Sequence, residues 1–396
     1  MDTLLSPQFL NELWGKQASE LTISNILFND KDVLSALKKY AVCASDIRSR
    51  NPQSEAITAF NGKRTLEPHP DFLALFKDET LEDYVSRIDS LAGADEWTVM
   101  YYGLHAANPV IWDIAKSFSD KLAFSIGYRP GGRVDVDCFI GRYSSTYIGI
   151  HVDHAHNFGF TLRNGKTMFT WPGNRSDLLG VRFPNYEQFK TEGIALENKV
   201  NRVAYFPEDW LHVAETKSDA SVNVNIAFWE TSDDSQKNAN YAKGLLHMND
   251  RTRHDVRSSG IANLNPDDEL LLSSLRQLLD EKSLKRRMMI SQLISDTSGR
   301  LNVGRPIIQV DELDDIIALN NVSTLQWMPI LQEDEVLVAA NGHCASFKFS
   351  YSLNDFLNRL SVGQKVNISD FSGDKDHKSN DNFLNVVASL ARWGAF

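Results

Sequence analysis

Residues 149–172 read GIHVDHAHNFGFTLRNGKTMFTWP, and residues 203–216 read VAYFPEDWLHVAET. The first stretch ends a strand-like run at His151 and Asp153, and the second places His212 after another strand and turn. Strands that face each other across a β-barrel can bring these side chains together from distant parts of the chain. Two imidazoles and one carboxylate can bind one face of a divalent iron ion and leave the other face open. The pattern therefore predicts a metal site with His151, Asp153 and His212 as its ligands.

A His-x-Asp pair alone is weak evidence, because the chain has 10 His and 52 Asp and Glu residues. The alternative is a solvated loop carboxylate beside a core histidine. His154 and His156 extend the motif to H-x-D-H-x-H. Because only alternate residues share one face of a strand, we expect these two to line a substrate mouth or face solvent, not to bind a second metal.

Lys166 follows an Asn-Gly pair at 164–165 that is typical of a hairpin turn. A strand would then leave the metal, turn and return with Lys166 at its start. A cation there can pair with the distal carboxylate of a keto-diacid whose other end chelates the metal, and Asn157 can add an amide hydrogen bond. The alternative for Lys166 is an ordinary exposed strand lysine.

Asn223 and Asn225 fall on one face of the late strand SVNVNIAFW, because side chains alternate along a strand. Asparagine is disfavoured in strands, so two on one buried face indicate a polar role inside the barrel, as further contacts to the cosubstrate. The alternatives are a satisfied polar core and an outward-facing position.

These residues and the closing NVNIAFW segment resemble the JmjC/cupin-type iron and 2-oxoglutarate oxygenases. Within that family the nearest resemblance is to the ribosomal oxygenases, which hydroxylate residues of ribosomal proteins. The interval from His151 to Lys166 and the longer interval to His212 match that branch. The N-terminal LSPQFLNELWGK also resembles its opening helix, although Gln17 and Ala18 differ from the Pro and apolar run that usually follow.

The resemblance implies that His151, Asp153 and His212 hold Fe(II), that 2-oxoglutarate binds with Lys166 at its far carboxylate, and that O₂ is the second cosubstrate. It implies hydroxylation of a protein or peptide, either a ribosomal protein or a ribosomally made peptide precursor. If the target carbon were an N-methyl group, the same chemistry would demethylate. Two alternatives stay open, an oxygenase of a free amino acid or small metabolite and a non-catalytic cupin-like binding protein.

Strand and helix signals divide the chain and predict an α+β protein. Residues 1–97 read as mostly helical, and 98–232 as strand-rich, including KLAFSI at 121–126. Many short strands separated by turns suit a double-stranded β-helix, the jelly-roll form called cupin. Residues 233–300 read as a polar linker followed by an amphipathic helix, and the resemblance implies that this region mediates homodimerisation. The alternative for the helix is an intramolecular bundle. Residues 301–396 resemble the C-terminal winged-helix domain of the ribosomal oxygenases.

Composition excludes several classes of protein. The 42% hydrophobic content suits a globular chain, no apolar run is long enough to span a bilayer, and the N-terminus lacks the pattern of a secretory signal. Its 3 cysteines are scattered without disulfide or zinc spacing, so we expect a cytoplasmic protein. A net charge of −11 argues against direct nucleic-acid binding and is compatible with a basic substrate.

Overall fold

The computed structural model describes residues 4–23, 26–216, 219–230, 280–310, 314–371 and 377–396. Its α-helices are α1 (Pro7–Glu12), α2 (Asp30–Arg50), α3 (Leu81–Ala92), α4 (Pro109–Ile126), α5 (Glu281–Ser298), α6 (Tyr351–Ser361) and α7 (His377–Arg392). The strands of the first part are β1 (Ser19–Thr22), β2 (Glu55–Phe60), β3 (Lys63–Arg64), β4 (Trp97–Tyr102), β5 (Val134–Arg142), β6 (His156–Arg163), β7 (Lys166–Trp171), β8 (Ile194–Asn198), β9 (Arg202–Phe206), β10 (Leu211–Thr216) and β11 (Ser221–Phe228). The strands of the last part are β12 (Ile316–Ile317), β13 (Leu325–Ile330), β14 (Glu335–Ala340), β15 (His343–Lys348) and β16 (Val366–Asn367).

Two antiparallel sheets form the first part of the molecule. The large sheet has 8 strands in the order β1-β9-β6-β11-β5-β4-β2-β3, and the small sheet has 3 strands in the order β10-β7-β8. Residues of both sheets line one cavity. This mixed helical and antiparallel architecture confirms the α+β prediction and fits a jelly-roll core.

The outer face of the large sheet packs against helices. Phe158 and Phe160 of β6 are buried and lie edge-on to Phe118 of α4, at ring-centroid distances of 5.1 and 5.9 Å. The intervening residues Asn157 and Gly159 face the other way because side chains alternate along a strand. The strand therefore separates an apolar helical layer from the interior of the barrel.

Two local predictions of secondary structure are wrong. KLAFSI at 121–126 forms the end of α4, whose first turn is capped by the Asn108 side chain and begins with Pro109, so the helix start outweighs strand propensity. Asn164 and Gly165 do turn the chain, and Asn164 has a positive φ of 36°. The strands on either side, β6 and β7, pair in different sheets, so the turn is a crossover between sheets and not a hairpin.

The N-terminal region contains more strand than predicted. Residues 1–97 were expected to be mostly helical, and α2 and α3 fulfil that expectation. The short strands β1, β2 and β3, however, extend the large sheet at both of its edges. Edge strands of two to six residues carry too little periodicity to be recognised in isolation.

The last part of the chain has a core of its own. Strands β13, β14 and β15 form an antiparallel sheet, β12 pairs with β16, and buried residues of α6 and α7 pack together with them. The winged-helix identity of this unit stays a prediction. Helix α5 packs on the same sheet through Leu293, which contacts Leu337 and Ala339. This packing within one chain agrees with the alternative to a dimerisation helix. The predicted helix before residue 280 and the loop at 372–376 lie outside the described residues.

Residues 299–305 join the last part to the first. Leu301 and Val303 belong to the main core, and Arg305 forms a two-pronged ion pair with Asp113 of α4 at 2.8 Å for each bond. No helix in the described part of the chain is both long and apolar enough to cross a membrane.

Candidate metal centre

His151, Asp153 and His212 converge at one end of the cavity. His151 and His212 form an antiparallel bridge in which each backbone amide donates to the other residue's carbonyl, at 3.1 and 2.9 Å. One ligand atom from each of the three side chains lies within 4.8 Å of the other two. Among the described residues this is the one group of three or more His, Cys, Asp or Glu side chains with that spacing.

Backbone carbonyls orient both imidazoles. The Nδ1 of His151 lies 2.9 Å from the carbonyl oxygen of Gly149, and the Nδ1 of His212 lies 3.2 Å from that of Trp210. A carbonyl accepts only, so each Nδ1 is the protonated nitrogen and each Nε2 keeps a free lone pair. Both Nε2 atoms point toward Asp153, at 3.5 Å for His151 and 3.3 Å for His212. Metal-binding histidines are held in this way by carbonyls behind them.

The charges around the group favour a cation. Burial is the main reason that the pKa of His151 falls to about 4, and the His212 imidazole lowers it further, so His151 is neutral at pH 7. Burial alone would raise the pKa of Asp153, but the imidazoles of His212 and His151 more than offset it. The pKa of that carboxyl lies well below its ordinary value. A neutral His151 and an ionised Asp153 are the states in which these two side chains can bind a divalent metal.

Asn157 supports the carboxylate. Its Nδ2 donates a hydrogen bond to Asp153 Oδ2 at 3.3 Å, and its side chain is buried on the inner face of β6. The sequence predicted an amide contact to the cosubstrate here. The structure places the amide against the candidate ligand Asp153, where it can fix the direction of that carboxylate.

Lys166 is buried in the cavity wall, with 4% of its surface exposed. Its Nζ lies 5.2 Å from the centre of the Phe139 ring, and within the described residues it has no ion pair with a carboxylate. Burial lowers the pKa of Lys166 to about 8. The alternative of an exposed strand lysine is therefore wrong, because Lys166 is buried. A buried ammonium without a nearby anion is costly, so an anionic ligand would stabilise its charged form.

Asn198 lies beside Lys166, and the sequence analysis did not identify it. It pairs with Lys166 across β7 and β8, is fully buried, and neither atom of its amide has a hydrogen-bond partner. Gly159 leaves the space in front of it, because a Cβ there would lie 2.9 Å from Asn198 Nδ2. No pattern in the sequence around residue 198 indicated this position.

The two asparagines of β11 differ in their environment. Asn225 lines the cavity, is 7% exposed, and its Oδ1 has no hydrogen-bond partner. Asn223 is not part of the cavity lining. Its Oδ1 accepts from Thr161 at 2.7 Å and its Nδ2 donates to Ser221 at 3.1 Å, as in the alternative of a satisfied polar core. The structure therefore brings Asn225 to the site and leaves Asn223 outside it.

His154 and His156 also differ from each other. His154 is exposed and its Nδ1 lies 2.5 Å from Asp209 Oδ1, on the turn before the strand of His212. His156 is buried and stacks on Trp14 at 4.0 Å between ring centroids. The expectation that His156 lines the mouth or faces solvent is wrong, because β6 has already begun there and its even positions face the helices.

The cavity between the sheets has a volume of about 550 Å³. Its wall includes two carboxylates of β5, Asp135 and Asp137, that the sequence analysis did not single out. They lie two residues apart in VDVDCF, a spacing that puts both on one face of a strand. Asp137 accepts a hydrogen bond from the Gly103 amide at 2.9 Å. Burial, followed by the nearby carboxylate of Asp135, raises the pKa of Asp137 well above its ordinary value.

Comparison with known proteins gives a weak likeness of fold. No family model matches the chain, and no curated protein matches it. The solved structures that are similar include YcfD, a ribosomal oxygenase from Escherichia coli, in complex with cobalt and succinic acid: TM-score 0.49, 13% identity, covering 98% of this chain and 96% of that one. The same protein with cobalt and 2-oxoglutarate has a TM-score of 0.48 at the same identity and coverage. An oxalate decarboxylase structure covers 34% of this chain at 12% identity and a TM-score of 0.20.

Proposed function

We propose that this protein is an Fe(II)- and 2-oxoglutarate-dependent oxygenase that hydroxylates a residue of a protein or peptide. One observation carries the proposal: two imidazoles and one carboxylate, from the segment before β6 and from strand β10, converge within 4.8 Å, with the Nε2 lone pairs free. This donor set occupies one face of a metal and leaves the other face for cosubstrate and oxygen.

The residues present fit both the metal and 2-oxoglutarate. His151, His212 and Asp153 would hold Fe(II). Lys166 would neutralise the distal carboxylate, and the free amide of Asn198 would donate a second hydrogen bond to it. Bound Fe(II) and 2-oxoglutarate supply the oxidative chemistry, in which O₂ and 2-oxoglutarate give succinate, CO₂ and one oxygen atom inserted into a substrate C–H bond.

The chain contributes orientation and a partly apolar cavity. Backbone carbonyls fix the two imidazoles, Asn157 fixes the Asp153 carboxylate, and Met168 and Phe139 contribute apolar surface to the cavity wall. Charged groups interact more strongly in such a cavity than in water. The ammonium of Lys166 therefore binds a dicarboxylate there more tightly than a surface lysine can.

The finer parts of this proposal concern substrate and assembly. We propose a ribosomal protein or a ribosomally made peptide as substrate, a homodimer in solution, and action in the cytoplasm. The YcfD structures, whose names describe a ribosomal oxygenase, are consistent with the first of these. Light scattering of the purified chain measures the second.

The test is succinate release by the full chain with Fe(II), 2-oxoglutarate and O₂. Turnover of 2-oxoglutarate that requires all three supports an oxygenase. Absence of succinate, together with absence of Mn(II) binding by calorimetry, identifies a non-catalytic binding protein instead. Mass spectrometry of proteins from cells with and without the gene then locates residues that have gained one oxygen atom.

A further inference from the structure

Tyr102 is an aromatic residue of the cavity wall to which the proposed function gives no role. It is the last residue of β4, and its side chain lines the cavity together with that of Met100. Tyr101, between them, faces the other side of the sheet because side chains alternate along a strand. The Tyr101 hydroxyl lies 3.0 Å from the hydroxyl of Tyr84. Two consecutive tyrosines therefore have different surroundings, and only the second borders the cavity.

The hydroxyl of Tyr102 has no strong hydrogen-bond partner. Within the part of the chain that the structure describes, its one hydrogen bond goes to the sulfur of Met100, at 3.8 Å. A thioether is a weak acceptor, and a buried tyrosine hydroxyl usually bonds to an oxygen or nitrogen atom. Hydrogen bonding within the fold therefore does not explain why a tyrosine stands at this position of the cavity wall.

The Tyr102 ring lies on the side of the cavity that contains the candidate metal ligands. Burial raises the pKa of its hydroxyl well above the ordinary value, and nearby groups that include Asp137, Tyr147 and Asp153 raise it further. Such an effect requires proximity, because the interaction of two charges falls with their distance. Tyr143 also lines the cavity, but burial alone raises its pKa. Tyr102 is therefore the phenol of this wall that is near Asp153.

The ring is also separate from the candidate cosubstrate anchor. Phe139 lies edge-on to Tyr102, at 6.0 Å between ring centroids. The Nζ of Lys166 lies 5.2 Å from the centre of the same Phe139 ring. Phe139 thus stands between the tyrosine and the lysine. The Tyr102 ring is therefore not part of the place proposed for the far carboxylate of 2-oxoglutarate.

We propose that Tyr102 is a site of self-hydroxylation: when the protein consumes 2-oxoglutarate and O₂ with no substrate in the cavity, one oxygen atom enters its ring beside the hydroxyl. This inference rests on the proposed function and adds a modification site to the same cavity. A ring C–H bond breaks, a C–O bond forms, and the hydrogen stays on the new hydroxyl group. The second oxygen atom of O₂ enters succinate as 2-oxoglutarate loses CO₂, so no other oxidant or reductant is required.

Two properties favour Tyr102 over the other aromatic residues of the wall. Its hydroxyl donates electron density to the ring carbons beside it, which Phe139 lacks. Its ring is held in the cavity by β4, and a group held near the reacting atoms reacts much faster than one in free solution. Trp229 also lines the cavity, but the guanidinium of Arg133 covers its ring at 4.1 Å. Tyr102 is therefore the electron-rich ring that remains open near the candidate metal centre.

The test is a peptide map of the full chain after turnover without substrate. The protein is incubated with Fe(II), 2-oxoglutarate and isotopically labelled O₂, then digested and analysed by mass spectrometry. We expect the peptide with Tyr102 to gain one labelled oxygen atom while succinate is released, and fragment ions separate Tyr102 from Tyr101. Succinate in place of 2-oxoglutarate cannot be decarboxylated, so the gain should then be lost. The peptide with Tyr143 is the internal comparison and should stay unmodified.

Variants then locate the reaction. Tyr102→Phe keeps the ring without the activating hydroxyl, and we expect the gain at this position to be lost. His212→Ala leaves Tyr102 in place but removes a candidate metal ligand, so the gain should be lost there as well. Circular dichroism checks that both variants fold. Tyr351→Phe, an exposed tyrosine of the last part of the chain, is the matched control and should leave the gain at Tyr102 unchanged.

The outcomes separate this inference from the proposed function. Absence of succinate from the wild-type reaction contradicts the proposed function, and this inference with it. Release of succinate without a gain at Tyr102, or with the gain at another residue, overturns the self-hydroxylation site alone. An equal gain with succinate in place of 2-oxoglutarate, or in folded His212→Ala, assigns the oxidation to dissolved iron and also overturns the inference.

Discussion

The two faces of strand β6 are a few ångströms apart and differ in how completely their polar atoms are paired. On the outer face, His156 stacks on Trp14, its Nδ1 lies 3.0 Å from the Tyr205 hydroxyl, and its Nε2 lies 3.5 Å from Glu230 Oε1. On the inner face, Asn157 lines the cavity, and Gly159 faces the side-chain amides of Asn198 and Asn225, which have atoms without a hydrogen-bond partner.

This difference distinguishes structure from function within one strand. Leaving buried polar atoms unpaired lowers stability, by about 1–3 kcal/mol for each group. The histidine on the outer face is fully partnered and adds no such loss. The inner face lies against unpaired amide atoms of Asn198 and Asn225, and a ligand of suitable chemistry would pair them on binding.

The largest expected effect of a single substitution is on metal binding. His212→Ala removes one of three candidate ligands, so we expect the affinity for Mn(II) to fall by more than about 100-fold, beyond the effect of a supporting residue. Calorimetry measures the affinity, and circular dichroism checks the fold. His154→Ala changes an exposed neighbour in the same motif and should leave the affinity within about threefold. Undiminished binding in His212→Ala contradicts the candidate site.

A substitution on the outer face of β6 should lower the stability of the protein and leave its affinity for Mn(II) unchanged. Phe158→Ala leaves a cavity among Phe9, Phe118 and Phe228. We expect the free energy of unfolding to fall by about 3–5 kcal/mol, measured by urea denaturation. The exposed Phe76→Ala is the control. A large loss of Mn(II) affinity in the folded Phe158→Ala protein would show that the two faces are not independent.

Lys166→Ala should weaken cosubstrate binding. A charge-assisted hydrogen bond contributes about 1.5–3 kcal/mol, so we expect the 2-oxoglutarate requirement to rise about 10- to 100-fold. Succinate formation at increasing 2-oxoglutarate concentration measures it, and Mn(II) affinity should be retained. Lys199→Ala, on the exposed turn after β8, is the control. An unchanged requirement in Lys166→Ala assigns the anchor elsewhere.

The smallest effect is a dependence of cosubstrate affinity on pH. The pKa of Lys166 is lowered to about 8, chiefly by burial, so its ammonium is charged below that pH and loses its proton above it. Affinity for 2-oxoglutarate should be constant between pH 6.5 and 7.5 and fall above pH 8, by up to about tenfold per unit. Lys166→Arg keeps its charge throughout, so a decline that persists in this variant has another cause.

Much of the candidate site could be predicted because its signals are local. The His-x-Asp pair, the distance to Lys166 and the strand before His212 each depend on a short stretch of chain. The convergence of these side chains agrees with that prediction, and their roles as ligands remain to be measured. The role of Asn157 differs from expectation because Asp153 turns back within reach of its amide, which the order of residues does not reveal.

The roles of other residues depend on neighbours that are distant in sequence, so the sequence alone could not predict them. Asn223 and Asn225 share a strand face, but Thr161 satisfies one and nothing in the described chain satisfies the Oδ1 of the other. Asp135 and Asp137 did carry a signal, because acids at alternate positions of an apolar strand share one face. Asn198 carried none, since its unpaired amide depends on the absence of a side chain at Gly159.

The attachment of residues 299–305 has a consequence for where the chain can be truncated. The Val134 amide at the start of β5 donates to the Arg300 carbonyl, and the Trp112 indole donates to the Val303 carbonyl. A truncated chain that stops before residue 299 would leave both donors without an acceptor and would expose the start of β5. A chain cut down to the first part of the molecule would therefore need residues 299–305, or a replacement for them, to keep these two donors paired.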